Sequence, residues 1–186
     1  MKSFLKALRP AILCFVILTV ICGVIYTGVV TGVAQLVFPH QANGSIIRVM
    51  LKDGTTKDFG SAIMGQQFTK PEYLIGRPME VTNLSPTSDE QKALVERRIE
   101  WWRNFDPDNA ADIPADLVTA SGSGVDPYIS PQAAEYQVSR VAKARNISQE
   151  DVRAVIKKYT SGRFLGFIGE PGVNVLKVNL ALDGLI

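Results

Sequence analysis

Histidine is nearly missing from this chain: His40 is the only one in 186 residues, and both cysteines, Cys14 and Cys22, lie inside an apolar run. A Ser-His-Asp arrangement therefore has no second choice of base, and no cysteine nucleophile stands outside that run. A Cys/His metal site lacks its ligands, and a disulfide scaffold lacks its thiols. No G-x-x-x-x-G-K-[ST] loop is present to cradle a phosphate, and there is no internal repeat or low-complexity tract. Charge is absent in one place only. From Ala11 to Phe38, 28 residues pass without an Asp, Glu, Lys, Arg or His, and the ten residues before them contain no acid. Those ten hold Lys2, Lys6 and Arg9 out of 20 Lys+Arg, so residues 39–186 carry 17 bases against all 18 acids, a net of −1. A nucleic-acid binder, which normally carries a basic patch, is excluded as a class.

What is there begins with the uncharged run itself. A hydrocarbon core of about 30 Å needs roughly 20 helical residues at about 1.5 Å each, so residues 11–38 are long enough for a transmembrane helix. A secretory signal would have an apolar region of roughly 7 to 15 residues and a small-residue cleavage site. Gln35-Leu36-Val37-Phe38-Pro39-His40 is no such exit, which favours a retained anchor. Lys2, Lys6 and Arg9 flank one end and no Lys or Arg flanks the other before Ser45. The positive flank is the cytoplasmic one, so residues 1–10 are expected inside the cell and residues 39–186 outside it. A lone helix without charge cannot form an ion pathway by itself. Thr19, Gly23, Thr27 and Thr31 recur every four residues, and Gly28 and Gly32 form a G-x-x-x-G pair beside them. Small residues at that spacing admit a partner helix, although membrane helices are generally rich in Gly and Thr.

Residues 39–186 read as a small α+β domain. Ser45 to Leu51 is β-branched and apolar enough for a strand, and Lys52-Asp53-Gly54-Thr55 is a hairpin turn. Irregular chain follows from Lys70-Pro71 through Gly76-Arg77-Pro78 to Ser85-Pro86-Thr87. The spacing of Leu94, Val95, Ile99, Trp102 and Phe105 predicts a helix from Ser88 or Asp89 to about Phe105. Ser130-Pro131 opens a helix to about Arg145 with Ala134, Val138 and Val141 inward and Asn146 at its end. Ser148-Gln149-Glu150-Asp151 caps another, through Val152, Val155, Ile156 and Tyr159 to Ser161-Gly162. Val173 to Leu182 alternates apolar and polar residues and predicts a half-buried strand.

Motifs with chemistry are weak. Ser121-Gly122-Ser123-Gly124 has neither the third glycine of G-x-G-x-x-G nor the order of G-x-S-x-G, so a structural turn is the better reading. Asp106, Asp108, Asp112 and Asp116 stand among prolines and an asparagine, where aspartates usually make turns. Of Trp101 and Trp102, one is expected inward and the other at an interface. Gly162, Gly166, Gly169 and Gly172 read as a tight turn before the last strand. The residues alone thus describe an anchored outer domain without evident catalysis.

The order of these pieces resembles the C subunit of the Kdp potassium-transporting ATPase, a bacterial high-affinity potassium uptake complex. The matching blocks are Leu8-Arg9-Pro10-Ala11, Phe38 to Ser45, Gly60-Ser61, Ile63 to Gln66 with Phe68, and Gly76-Arg77-Pro78. Pro114 to Gly124 with Asp126-Pro127, Ile129-Ser130-Pro131, Arg140 to Arg145, Gly169-Glu170-Pro171 and Val173 to Asp183 complete them. Between Pro78 and Asp89 the chain is shorter than the family usually is. The resemblance implies an α+β extracytoplasmic domain on a single N-terminal transmembrane helix in the bacterial inner membrane. Implied partners are an ion-conducting A subunit and an ATP-hydrolysing B subunit, besides the lipid bilayer, with no nucleic acid. The implied role is that of an accessory subunit needed for assembly and activity, a catalytic chaperone that raises the B subunit's affinity for ATP. No catalytic residue, metal or cofactor of its own is implied; ATP and K+ are handled by the complex. Helix packing is expected at Thr19, Gly23, Thr27, Gly28, Thr31 and Gly32, and subunit contacts at Gln66, Arg77, Ser121, Gly122, Ser123, Gly124 and Asp126. The competing readings are a stand-alone membrane-tethered ligand-binding or sensory domain and, against the missing histidines and cysteines, a single-pass enzyme.

Overall fold

The structure, a computed structural model, describes residues 2–186, with side-chain surroundings from Lys6 onward. It divides into two compact units, one ending at Ser45 and one spanning Ile46–Ile186.

The first unit is helical. α1 (Lys2–Thr19) carries Pro10 within it and continues through a π-helical segment (Val20–Tyr26) into α2 (Thr27–Val37). Lys6–Val37 forms one apolar helix of 32 residues, about 48 Å at the usual rise. In the wide turn the Thr27 hydroxyl donates to the Cys22 carbonyl five residues back at 3.1 Å. Phe38 leaves the helical conformation, and a single turn, α3 (Pro39–Ala42), follows. Asn43 closes that end, its Nδ2 donating to Pro39 O at 2.7 Å and to Gln35 Oε1 at 3.1 Å.

The second unit opens with the expected hairpin. β1 (Ile46–Met50) pairs antiparallel with β2 (Thr56–Ser61), with a register shift between Ile47 and Arg48. The longest helix of this unit, α4 (Asp89–Phe105), starts where Ser88 accepts from Gln91 N. α5 (Ala115–Val118) is a single turn. β3 (Tyr128–Ile129), β5 (Gly172–Asn174) and β4 (Thr160–Ser161) form an antiparallel sheet in the order β3-β5-β4. Strands of two or three residues hold no sheet together unaided; helices supply the burial. These are α6 (Pro131–Tyr136), α7 (Val138–Arg145), α8 (Gln149–Lys158) and α9 (Val175–Leu182). The core runs through Trp102, Leu117, Ile129, Ala134, Val138, Val141, Val152, Val173 and Val178.

Three expectations are corrected. The predicted strand Val173–Leu182 keeps its extended form only to Asn174, whose side chain then accepts from Lys177 N and starts α9. The buried positions 175, 176, 178, 179 and 180 have helical, not alternating, spacing. The helix from Ser130 is two helices meeting at Gln137, which is fully buried. Ile99, expected on the inner stripe of α4, is 38% exposed, whereas Trp102 is 2% exposed. The caps expected at Ser130, Asn146 and Ser148 are present, with Asn146 left-handed at φ 54°.

Candidate functional site at the Arg77 clasp

Residues 71–77 belong to no strand, yet Leu74 is fully buried. Buried backbone amides need partners, and here side chains supply them one residue at a time. Arg140 donates to the Pro71 carbonyl and, at 3.1 Å, to Tyr73 O. Arg145 Nε donates to Glu72 O at 2.6 Å. Asn179 takes both groups of Leu74: Leu74 N donates to its Oδ1 at 2.8 Å, and its Nδ2 donates to Leu74 O at 3.0 Å. Gln137 does the same for Ile75, at 2.8 and 3.0 Å. Two amide side chains thus stand in for a missing neighbouring strand.

This scaffold presents Arg77. Its guanidinium donates to Thr119 O and Ala120 O at 3.3 Å each, clasping the segment after α5, and its Nε is buried without a hydrogen-bond partner. Arg98 of α4 draws the same segments together, donating to Val118 O and to Glu80 Oε2, both at 2.9 Å. Trp102 Nε1 donates to Leu117 O at 3.1 Å. From the other side Gly65 N donates to Val125 O at 2.6 Å. A Cβ on Gly65 would stand 2.8 Å from the Asp126 carbonyl oxygen, so the two loops approach too closely for any other residue.

Four of the seven expected contact residues come together here. Gln66, Arg77 and Asp126 line one narrow cleft. Gly124, at φ +69°, packs its backbone on Glu80 and Val81, where an added Cβ would lie 2.6 Å from Val81 Cγ2. Ser121, Gly122 and Ser123 form the turn beyond, with Ser123 Oγ accepting from Val125 N at 3.2 Å. Gly122 and Ser123 are exposed. Two grooves meet at Arg77. One of about 370 Å³ runs past Gln66, Met79, Arg98 and Trp101; another of about 690 Å³ runs past Asp116, Asp126, Tyr128 and Glu170. Met79, exposed, lines the first groove, and Met64, also exposed, lines the narrow cleft beside Gln66 and Arg77. The six helix-packing residues lie on the apolar helix, with open space around any Cβ built on Gly28 or Gly32.

The charges near the clasp act inward. Asp116 accepts from Ser130 N at 2.6 Å, and Asp126 accepts from Tyr128 N at 2.9 Å, so both hold turns. Burial lowers the Arg140 guanidinium to about 10, opposed by Asp106 and Tyr136; it stays charged at neutral pH, with its plane over the Phe105 ring at 4.8 Å. Burial and its bond to Asp183 raise the Tyr73 hydroxyl. Among the described residues no three His, Cys, Asp or Glu side chains are grouped to hold a metal ion. Sequence reading missed Gln137, Arg140, Arg145 and Asn179. Their signal was a polar residue at an inward helical position, as Asn179 stands between Val178 and Leu180.

Fold and site define a class: a small α+β domain behind one apolar helix of spanning length, its buried polar side chains turned onto its own backbone. Within that class the chain belongs to the KdpC family, the c chain of K+-transporting ATPases, whose family model matches residues 8–184. The potassium-transporting ATPase KdpC subunit of Listeria monocytogenes is 57% identical over all of this chain and 99% of its own length. Those of Methylococcus capsulatus and Clostridium perfringens are 49% and 47% identical, over 95% and 98% of this chain.

Proposed function

We propose that the chain is the accessory subunit of an ATP-driven, high-affinity potassium uptake complex, assembling with an ion-conducting A subunit and an ATP-hydrolysing B subunit. In this reading it has no catalytic step of its own and acts as a chaperone of the B subunit, raising its affinity for ATP. The observation that carries it is the match to the c chain family along almost the whole chain, from residue 8 to residue 184. The basic flank of Lys2, Lys6 and Arg9 supports an N-terminus in the cytoplasm and an extracytoplasmic α+β domain. The small-residue face of the helix serves the partner's helix, and the surface around the Arg77 clasp serves its outer loops. That surface is preorganised by side-chain bonds to backbone, which lowers the ordering cost of docking.

The test is purification of the complex through a tag on the ATPase subunit, with and without this chain, followed by potassium-stimulated ATP hydrolysis. Co-purification, with loss of assembly or turnover when the chain is left out, is the expected result. Normal turnover without it refutes the accessory role and leaves a stand-alone tethered binding domain as the reading to pursue. For orientation, a cysteine at Ser123 should react with a membrane-impermeant thiol reagent in intact cells. Labelling only after lysis would invert the topology.

A further inference from the structure

Between β4 and β5 the chain forms a finger that the potassium-transport reading does not use. Arg163 and Glu170 close its base with two oxygen contacts at 3.0 and 2.8 Å. Phe164 N donates to Ile168 O at 2.8 Å, and Ile168 N donates back to Phe164 O at 2.9 Å. Gly166 N donates to Arg163 O and Phe167 N to Phe164 O, so these four N–H groups are satisfied within the finger. Its tip carries Phe164, Leu165, Phe167 and Ile168, which are 69%, 70%, 71% and 50% exposed. No charged residue stands between Arg163 and Glu170. Leu165 holds φ +52° next to Gly166 at φ +83°, a conformation that leucine rarely adopts. A rigid turn thus projects four large apolar side chains into solvent, with a strained leucine at its end.

We propose that this finger inserts into the bilayer interface and docks the α+β domain on anionic lipid. The proposal rests on the reading of the apolar helix as a bilayer span, which places lipid within reach of the domain. Three features favour lipid over a protein groove. Four backbone N–H groups of the finger bond within it, which lowers the cost of entering an apolar layer, and the turn offers no free strand for pairing. Its length suits the shallow depth reached by interfacial apolar segments. The stretch 157–170 carries Lys157, Lys158 and Arg163 against Glu170 alone, a local excess of positive charge in a unit that is otherwise slightly acidic. Lys157 and Lys158 end α8 on exposed positions just before the finger, where they complement an anionic headgroup layer.

The full-length chain, with Cys14 and Cys22 replaced by alanine and a single NBD-labelled cysteine at Phe167, tests this in vesicles of phosphatidylethanolamine and phosphatidylglycerol. Flotation with the vesicles reports the helix; quenching of the probe by acyl-brominated lipid reports the finger. The expected result is a floating chain whose probe is quenched several-fold more than the same probe at Glu96 on α4. Leu165→Asn, which suits the left-handed backbone and so preserves the turn, should lower that quenching severalfold. So should phosphatidylcholine vesicles, or Lys157→Gln with Lys158→Gln. A floating chain with a water-exposed probe overturns the finger proposal and leaves the span intact; a chain that does not float overturns both. Repetition in the assembled ATPase separates the remaining case: a probe buried there but unreachable by brominated lipid makes the finger a subunit contact and refutes lipid docking.

Discussion

Asn179 does for Leu74 what an adjacent strand would do, and it does so where solvent cannot replace it: its own exposure is 1% and that of Leu74 is nil. Truncation to alanine leaves a buried N–H and a buried C=O unpaired at about 1–3 kcal/mol each. Asn179→Ala should therefore lower stability by roughly 2–4 kcal/mol, read as the denaturant midpoint followed by near-ultraviolet circular dichroism. Loss of less than about 0.5 kcal/mol, the range of an ordinary surface change, would show that Leu74 finds other partners. Arg140 cannot be replaced by lysine on the same grounds, since one ammonium cannot span Pro71 O, Tyr73 O and Gln137 Oε1 as the planar fork does. An exposed pair behaves differently. The Lys143 ammonium, 2.7 Å from Asp108, holds that carboxyl below its usual range and is itself raised by it. A depressed acid stabilises the fold above its unfolded pKa and ceases to do so as pH falls through its folded one. The difference in midpoint between the parent and Lys143→Ala should hence be small at neutral pH and vanish in acid, once the Asp108 carboxyl is protonated in the fold. A difference that persists there assigns the effect to something other than the pair.

At the scale of elements, the open space around Gly28 and Gly32 gives the helix a clean test. A Cβ at Gly28 meets nothing within 4 Å, and leucine is a good helix former, so Gly28→Leu should spare the helix itself while filling the approach that a partner helix would use. Gly28→Leu should weaken co-purification of the complex in mild detergent without changing the level of the chain itself. Undiminished recovery would move the helix contact to another face. Which elements could be read from the sequence follows from what encodes them. The helices at Ser88, Ser130 and Ser148 announce themselves through local caps and short-range spacing, and the hairpin through Asp53-Gly54. α9 reads as a strand because Asn179 is polar yet buried, so a pattern that equates polar with exposed turns a helix into an alternating strand. The loop 71–77 looked irregular for a related reason: its partners are side chains from α7, α9 and Gln137, about 62 to 105 residues further along. The finger at Phe164–Ile168 looked like a plain turn because glycine spacing signals reversal and says nothing of exposure.

For the whole molecule, the candidate contact residues were legible only as blocks of a known family, whereas the structure explains why Gly65, Arg77 and Gly124 must hold those places. Their joint product is a surface held by close backbone contacts and side-chain hydrogen bonds, and such preorganisation bears on how the domain could influence a nucleotide site in the proposed complex. In the orientation proposed above, the α+β domain and a cytoplasmic nucleotide site stand on opposite sides of the membrane. A direct contribution to the ATP pocket is therefore small, and any effect on affinity has to be a coupling between conformations of the assembly. Coupling free energies are reciprocal: if the chain tightens ATP binding by a given factor, ATP tightens binding of the chain by that same factor. A typical coupling of about 1–3 kcal/mol corresponds to roughly 5–150-fold. Retention of this chain on the detergent-solubilised ATPase should thus rise by such a factor when a non-hydrolysable ATP analogue is added, and Gly65→Ala, which forces the two loops of the clasp apart, should reduce the rise. Retention that ignores the nucleotide would refute the chaperone role, while leaving the chain's place in the assembly to be decided by co-purification alone.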